Sequence, residues 1–322
     1  MTARQKPRFS EWVKARWSLI RKIIVSVFVA LVVVLIGVAV THVEWSEVLA
    51  AIRQLPAMAL AIAALITLAS YLLYSCFDLL GKRYTHHGLA WWRSMMVGFI
   101  SYAFTMNMGA PVGGIGLRMR LYTKQGLAPG VVLRVMGFSI ATNWMGYVLL
   151  AGTVFALGKM PLPADWELGN GALRLIGAAM VLAVVAYVLL CAFSRTRSWT
   201  VRGHDIKLPS LRLALLQLTV SMLNWALMGA VVYVLLQQKV DYPLVLGTLL
   251  ISAVAGVITH IPGGLGVLEG VFVALLASSS LPRFEILGAI LVYRAVYYLA
   301  PLLLAGAWYL AAEAKISGAK TA

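Results

Sequence analysis

Two glycine-rich stretches decide the fold predicted for this chain: Gly113–Arg118, which reads GGIGLR, and Gly263–Glu269, which reads GGLGVLE. Their first glycines are 150 residues apart in a chain of 322 residues. Each stretch interrupts very apolar sequence and ends in a charged residue. Breaks of this kind at matching positions are typical of membrane proteins whose two halves each contribute a discontinuous helix to a shared site. The duplication therefore predicts an internal repeat and favours a role in transport.

The composition predicts a polytopic membrane protein. Hydrophobic residues make up 61% of the chain and charged residues only 12%. A water-soluble domain of this length needs more polar surface to cover itself. The net charge of +16 would suggest nucleic acid in a soluble protein. Here the basic residues lie between hydrophobic runs, so they are interpreted as orientation signals and contacts to anionic lipid headgroups, and nucleic-acid binding is not expected.

Six hydrophobic runs are long enough, at about 20 residues each, to cross a bilayer as helices. They lie near Ile23–Val40, Met58–Leu80, Val131–Leu157, Leu173–Phe193, Leu213–Leu236 and Ile286–Leu310. Two further runs, Met95–Met108 and Leu244–Ile258, are shorter and lead into the glycine-rich breaks. We expect these two to be re-entrant hairpins. The predicted fold is an all-α integral membrane protein with six full transmembrane helices and two oppositely oriented re-entrant helical hairpins, arranged as an inverted-topology repeat.

Lysine and arginine set the predicted orientation. If both hairpins are re-entrant, the segments assigned to the cytoplasm hold 21 of the 27 basic residues and the opposite side holds five, with Arg294 left inside the membrane. This bias follows the positive-inside rule and places both termini in the cytoplasm. Two short full spans in place of each hairpin would give the same count, so that alternative stays open.

The chain divides accordingly into five parts: a basic cytoplasmic tail (1–22), a first repeat with the inner hairpin (23–157), an outer connecting loop (158–171), a second repeat with the outer hairpin (172–311) and a cytoplasmic tail (312–322). Inverted repeats place their site near the bilayer midplane, where the halves meet. A substrate site is therefore expected between the two breaks.

Charged residues inside the apolar runs are the first candidates for that site. Of the 11 acidic residues only Glu269 lies well inside such a run, and Arg294 is the only basic residue well inside a full span. Each costs about 2.5–3.5 kcal/mol or more at the bilayer centre, so both should face the protein interior. One interpretation is that Arg294, with Arg118 and Arg120 of the inner hairpin, binds a phosphate while Glu269 balances charge or takes a proton. The other is that Glu269 only pairs with Arg294 or Arg118 to hold the halves together.

Further candidates for substrate contact are polar or aromatic residues near the breaks or inside spans: Asn143, Tyr147, Asn224, His260 and Tyr298. His260 could titrate near neutral pH, or it could donate a hydrogen bond to a helix carbonyl freed by the break. The amides of Asn143 and Asn224 could bind a headgroup or bridge two helices.

The residues assigned to the breaks themselves are Gly113, Gly114, Gly116, Pro262, Gly263, Gly264 and Gly266. Glycine permits positive φ and close backbone approach, which a phosphate-binding turn requires. Tight packing of small residues between helices explains such glycines equally well.

Other unusual residues inside apolar runs have structural interpretations. Asp78 lies near the cytoplasmic end of the second span beside Lys82 and Arg83, which predicts a surface ion pair. Cys76 and Cys191 lie in apolar runs and are interpreted as small buried hydrophobes rather than disulfide or metal ligands.

Motifs for catalysis are absent from the sequence. It contains no HExxH pattern, no phosphate-binding loop with a glycine-lysine-serine signature and no paired carboxylates on one helix, and its hydrophilic stretches are too short for an ATPase or transferase domain. We therefore expect no enzymatic activity, no metal and no cofactor.

Four ordered segments carry a resemblance to a known family: Gly113–Tyr122, Asn143–Gly152, His260–Phe272 and Tyr293–Leu304. They closely resemble the YbhN-like bacterial inner-membrane proteins, a group within the family of lysylphosphatidylglycerol synthase transmembrane domains, and the similarity runs from about residue 16 to residue 310. The resemblance implies the flippase half of the multiple peptide resistance factor, which moves aminoacylated phosphatidylglycerol between leaflets. Larger relatives carry a cytosolic aminoacyl-transferase domain after the membrane part, whereas only twelve residues follow Leu310 here. We expect that this chain does not make the aminoacyl lipid and that its cargo is open to other phospholipids.

The function predicted from sequence is a flippase or scramblase that moves an anionic or aminoacylated phospholipid across the inner membrane. A secondary transporter for a small solute or anion is one alternative. A non-transporting accessory protein that binds lipid, or that organises a separate lipid-synthesis enzyme, is another. An enzyme acting on lipid-linked substrates ranks below these because no nucleophile or metal site is evident.

Overall fold

The computed structural model describes residues 45–158, 160, 169–201 and 204–321. The predicted tail 1–22, the predicted first span Ile23–Val40 and most of the predicted outer loop 158–171 lie outside these residues. The chain divides into two units, Met1–Trp45 and Ser46–Ala322, and the second holds nearly all of the described residues.

The described helices, numbered in chain order, are α1 (Trp45–Arg53), α2 (Ala57–Thr85), α3 (Trp91–Met108), α4 (Arg118–Lys124), α5 (Pro129–Ala156), α6 (Asn170–Phe193), α7 (Leu211–Leu235), α8 (Tyr242–Thr259), α9 (Val267–Leu276), α10 (Arg283–Tyr293) and α11 (Ala300–Thr321). A π-helical segment, Ala110–Leu117, precedes α4, and a second one, Arg294–Leu299, joins α10 to α11. A 3₁₀ turn, Pro262–Gly264, precedes α9. Two short antiparallel strands, β1 (Ser198–Val201) and β2 (His204–Lys207), are the described exception to the all-helical prediction.

Six described helical segments are long and apolar enough to cross a membrane: Ala57–Thr85, Pro129–Ala156, Asn170–Phe193, Leu211–Leu235, Tyr242–Thr259 and Arg283–Ala311. Five of them match predicted spans. The sixth, α8, is longer than the predicted arm Leu244–Ile258, and its 18 residues extend about 27 Å. Helix α3 likewise has 18 residues and is longer than predicted. Both helices are therefore longer than the predicted runs, and α8 is long and apolar enough to span a bilayer.

The outer helix faces are apolar. On α6 the side chains of Leu175, Leu182 and Phe193 are 74%, 67% and 79% exposed. A water-soluble protein would bury such a face, whereas lipid solvates it without cost. The described chain is thus a multi-pass helical membrane protein.

Helices α2, α5 and α7 pack against one another at the centre, with α3 packed on α2 and α6 packed on α5. A small residue allows one of these close crossings. A Cβ atom added to Gly146 of α5 would lie 2.2 Å from Ser221 Oγ of α7. The close approach lets Ser221 Oγ donate a hydrogen bond to the Asn143 carbonyl at 3.0 Å.

The chain reverses direction near each glycine-rich stretch. The first reversal is at Gly109, so the prediction of a break at Gly113, Gly114 and Gly116 is wrong by four residues or more, and these glycines lie in the π-helical segment. The second reversal is at the predicted stretch. A Cβ atom added to Gly113 would lie only 2.1 Å from the Thr105 nitrogen, eight residues earlier. In a continuous helix these residues would be about 12 Å apart, so the segment after Gly109 must run back along α3. After α8 the chain turns in the same way, and α9 packs along α8. We call Gly109–Gly116 the first break and Pro262–Gly266 the second break.

Candidate functional site

The second break is a turn that requires glycine. Helix α8 ends at Thr259, and the backbone then has φ values of 63° at Gly263 and 78° at Gly266. These values lie in the region that residues with a Cβ atom rarely adopt. The first N–H groups of α9 have no partner within their own helix, and the Glu269 carboxylate accepts a hydrogen bond from the Gly266 N–H at 2.9 Å. Glu269 therefore holds the start of α9 against the turn.

Arg294 reaches the same turn from the π-helical segment that follows α10. Its Nε and Nη2 atoms both donate to the Glu269 carboxylate, the latter at 3.1 Å. Nη1 donates to the Gly263 carbonyl at 2.8 Å, and Nη2 also donates to the Gly264 carbonyl at 2.9 Å. The guanidinium carbon lies 5.2 Å from the centre of the Tyr298 ring. All three nitrogens of Arg294 are thus engaged by one break, in the bidentate geometry that makes arginine–carboxylate pairs strong.

The structure contains the Glu269–Arg294 contact of the pairing interpretation. Both residues belong to the predicted second repeat, 172–311, so the expectation that this pair holds the two halves together is wrong. The two side chains are 10% and 17% exposed, so each charge is largely removed from solvent and balanced by the other. A phosphate that reached Arg294 would have to compete with Glu269. Phosphate binding by Arg294 stays a prediction.

The second break meets the end of α3. A Cβ atom added to Gly263 would lie 3.4 Å from the Met106 carbonyl oxygen and 3.5 Å from that of Asn107, at the end of α3. Asn107 Nδ2 donates to the Ala103 carbonyl at 2.8 Å and to the Tyr298 carbonyl at 3.1 Å. The end of α3 therefore contacts both the second break and the π-helical segment that carries Arg294. We call this contact region the junction.

Arg118 does not take part in the Arg294–Glu269 contacts. Its Nε donates to Asp78 Oδ2 at 3.3 Å, and the two side chains are 3% and 0% exposed. The prediction that Asp78 forms a surface ion pair beside Lys82 and Arg83 is wrong. Asp78 lies on the face of α2 that packs against α3, where Gly98 leaves room for the carboxylate: a Cβ atom there would lie 3.0 Å from Oδ2.

A buried hydroxyl network lies among α2, α3, α7 and the π-helical segment. Tyr297 Oη lies 2.7 Å from Ser70 Oγ and 3.0 Å from Tyr102 Oη. Ser70 Oγ donates to Asn224 Oδ1 at 2.9 Å, so Asn224 bridges helices, as one of its two interpretations held. Sequence reasoning missed Ser70, Tyr102 and Tyr297, as well as Asn107, because a single polar residue in an apolar run does not reveal its partner.

The remaining predicted site residues make contacts that involve neither Arg294 nor Glu269. Tyr147 Oη donates to a carbonyl of α8 at 2.9 Å. Asn143 accepts hydrogen bonds from α7 side chains through its backbone carbonyl. His260 is exposed, and its Nδ1 lies 2.9 Å from the Ile258 carbonyl, as the carbonyl interpretation expected. Arg120 is exposed on α4. Within the described ranges, no three His, Cys, Asp or Glu side chains gather as a metal site would require.

Fold and site together define a multi-pass helical membrane protein in which the end of one interrupted helix, α3, contacts the glycine-rich break that follows another, α8. Residues 23–305 match the family described as the lysylphosphatidylglycerol synthase TM region. The chain belongs to that family.

Similar proteins cover most of the chain. It is 44% identical over 300 residues to the inner membrane protein YbhN of Escherichia coli K12, a match that spans 93% of this chain and 94% of that protein. An uncharacterized protein of Synechocystis is 29% identical over 267 residues, 81% of each chain. A phosphatidylglycerol lysyltransferase of Staphylococcus haemolyticus is 33% identical over 89 residues, which cover 27% of this chain and 11% of that protein.

Proposed function

We propose that this protein moves or scrambles a phospholipid between the leaflets of the inner membrane, with the headgroup passing through the junction. The observation that carries the proposal is the contact of Gly263 with the carbonyls of Met106 and Asn107. It brings the interrupted ends of two helices together, and interrupted helices offer backbone groups that can replace lost hydration. Membership of the lysylphosphatidylglycerol synthase TM region family and similarity to a phosphatidylglycerol lysyltransferase support a lipid as the cargo.

The contact also supports an inverted repeat with two re-entrant hairpins. The basic residues favour an inner entry for α3 at Trp91 and an outer entry for α8 at Tyr242. Each helix extends about 27 Å, close to the thickness of the hydrocarbon core, about 30 Å. If both crossed fully from opposite sides, their ends would lie at opposite faces and could not touch. Tilted re-entrant helices whose breaks lie within the membrane would bring these ends into contact, so the contact supports that arrangement.

The Arg294–Glu269 pair gives this pathway its chemistry. A headgroup phosphate entering the junction finds a guanidinium that already holds a carboxylate. In our proposal the phosphate displaces Glu269 from Arg294, which also frees the Gly266 N–H that Glu269 holds. Headgroup binding and opening of the second break are then one event, while the lipid tails remain in the bilayer.

The test is transbilayer movement of labelled phospholipids in liposomes that contain the purified protein. We expect faster movement of anionic than of zwitterionic lipid, and loss of that movement in Arg294→Gln and in Glu269→Gln. The matched control is Glu285→Gln, which removes one partner of the exposed Lys239–Glu285 pair and should move lipid normally. Unchanged movement in Arg294→Gln would overturn the proposed pathway.

Two other results would redirect the proposal. Folded protein that moves no lipid would favour a lipid-binding accessory role alongside a separate lipid-synthesis enzyme. Release of entrapped phosphate without lipid movement would favour a transporter of small anions.

A further inference from the structure

The two buried charge pairs are built differently. Arg294 donates to four acceptors from three nitrogens. Arg118 also holds a carboxylate, that of Asp78, but its Nη2 is buried without a hydrogen-bond partner, and so is Asp78 Oδ1. The Arg294–Glu269 pair therefore uses all three guanidinium nitrogens in hydrogen bonds, whereas the Arg118–Asp78 pair leaves a donor and an acceptor without a partner.

Further unsatisfied groups gather around Asp78. The hydroxyls of Tyr122 and Ser139 face its carboxylate, and Ser94 faces Tyr122. All three hydroxyls are buried and lack a hydrogen bond of good geometry. A buried polar group without a partner costs about 1–3 kcal/mol, so a concentration of them calls for a functional explanation. We call Asp78, Arg118, Tyr122, Ser94 and Ser139 the Asp78 cluster.

The cluster has a connection to the surface through His87, in the turn between α2 and α3. The His87 ring meets the Tyr122 ring edge-on, with centroids 6.1 Å apart. His87 Nδ1 accepts a hydrogen bond from the Leu89 N–H at 3.3 Å, so the neutral ring carries its proton on Nε2, which is buried and without a partner. Burial, and then the charge of Lys82, lowers the pKa of His87, which keeps the ring neutral near pH 7.

We propose that Asp78 is a proton-binding site that exchanges its proton with the cytoplasmic solution through Tyr122 and His87. The Tyr122 hydroxyl gives its proton to Oδ1, the carboxylate oxygen that Arg118 leaves free, and regains one from His87 Nε2. His87 Nδ1 then takes a proton from solvent after it releases the Leu89 N–H. The groups that face the cluster are Arg118 and Tyr122 from α4, Ser94 from α3, Ser139 from α5, and Tyr74 of α2, whose ring lies 5.9 Å from the Arg118 guanidinium.

Proton binding would act on the first break. Neutralising Asp78 leaves the Arg118 charge without its partner, which weakens the attachment of α4 to α2. The second break keeps its own charge pair in either state. Proton binding and lipid movement are separate claims, because the proton site can be detected without any transport.

The experiment is infrared spectroscopy of the full chain in bilayers as the pH is lowered. We expect a carboxylic acid C=O band that appears with acid and is missing in Asp78→Asn. The control Glu285→Gln, which alters an exposed carboxylate, should keep the band. The double variant Asp78→Asn with Arg118→Gln keeps the site neutral if the single variant misfolds, and it should also lack the band. Identical titrations in the wild type and in either Asp78 variant would overturn the proposal.

The proposed path of the proton through His87 is tested separately by the variant His87→Phe. This variant should keep the band but exchange its proton for deuterium more slowly than wild type after transfer to D₂O. Exchange at the wild-type rate would overturn the path through His87. A titrating Asp78 band in a protein that moves no lipid would leave the proton site standing and count only against the proposed transport.

Discussion

Arg294 and Arg118 show that neighbouring groups decide what a buried guanidinium does. Both residues follow or face a glycine-rich break, and both pair with a carboxylate. Arg294 also donates hydrogen bonds to the carbonyls of Gly263 and Gly264, so it stabilises the conformation of the turn. The Nη2 atom of Arg118 has no hydrogen-bond partner. Arg294 is therefore suited to stabilising the second break, and Arg118 is suited to responding to a change in the charge of Asp78.

Removing one partner of the Arg294–Glu269 pair should destabilise the protein strongly. We expect Arg294→Gln to lower the free energy of unfolding by about 3–5 kcal/mol, because it leaves the Glu269 charge unpaired in a largely buried position. Thermal or denaturant unfolding in detergent measures the effect. The double variant with Glu269→Gln should recover part of the loss, since it removes the unpaired charge.

The matched control is the exposed pair Lys239–Glu285, whose side chains are 41% and 30% exposed. Glu285→Gln should change stability by less than about 1 kcal/mol, as is usual for a surface ion pair. Equal effects of Arg294→Gln and Glu285→Gln would show that the break does not depend on Arg294.

At the scale of elements, the π-helical segments Ala110–Leu117 and Arg294–Leu299 lie where the chain departs from regular α-helix beside the junction. A π-helical turn is rare and often marks a functional site. The first one follows the reversal at Gly109, and the second carries Arg294 and Tyr298. Irregular backbone is tolerated at membrane depth only where protein or water satisfies it, which the contacts of Asn107 and Arg294 achieve here.

The segment after Gly109 can pack against α3 because Gly113 has no Cβ atom. We expect Gly113→Ala to destabilise the protein by about 1–3 kcal/mol or more, because its Cβ atom would lie 2.1 Å from backbone nitrogen of Thr105, which cannot rotate away. Gly114→Ala is the control, since its Cβ atom would lie 3.4 Å from the Thr105 hydroxyl, an ordinary contact. Unfolding measurements on the two variants should differ clearly. Similar stabilities would mean that the reversal is looser than described.

At the scale of the whole molecule, the meeting of two helix ends restricts how the chain can cross the membrane. In our proposal α3 and α8 enter from opposite faces and both stop inside the bilayer, which allows the end of α3 to touch the second break. The charge bias alone could not separate this arrangement from pairs of full spans.

Thiol labelling tests this topology in a chain whose two native cysteines are replaced by alanine. A membrane-impermeant reagent should reach Ser279→Cys from the outer side and Arg134→Cys from the inner side. Met108→Cys and Thr259→Cys, next to the breaks, should react more slowly than both, because the proposed hairpins place the breaks within the membrane. Rapid labelling of Met108→Cys from the outer side would show that α3 crosses fully and would exclude the inverted repeat.

The sequence by itself determined the membrane class, the positions of five described spans, the second break and the family. These features depend on local composition, because long apolar runs must be helical in lipid and glycine permits the positive φ values of the second break. It also identified Glu269 and Arg294 as candidate site residues, because charged residues are rare inside apolar runs.

Only the tertiary structure decided which charges pair. Asp78 looked like a surface residue because Lys82 and Arg83 are its neighbours in sequence, yet it is buried against Arg118, 40 residues away. Tyr297 and Ser70 meet across 227 residues. Partner choice inside a membrane depends on which helix faces pack together, and that is a property of the assembled bundle rather than of any one segment.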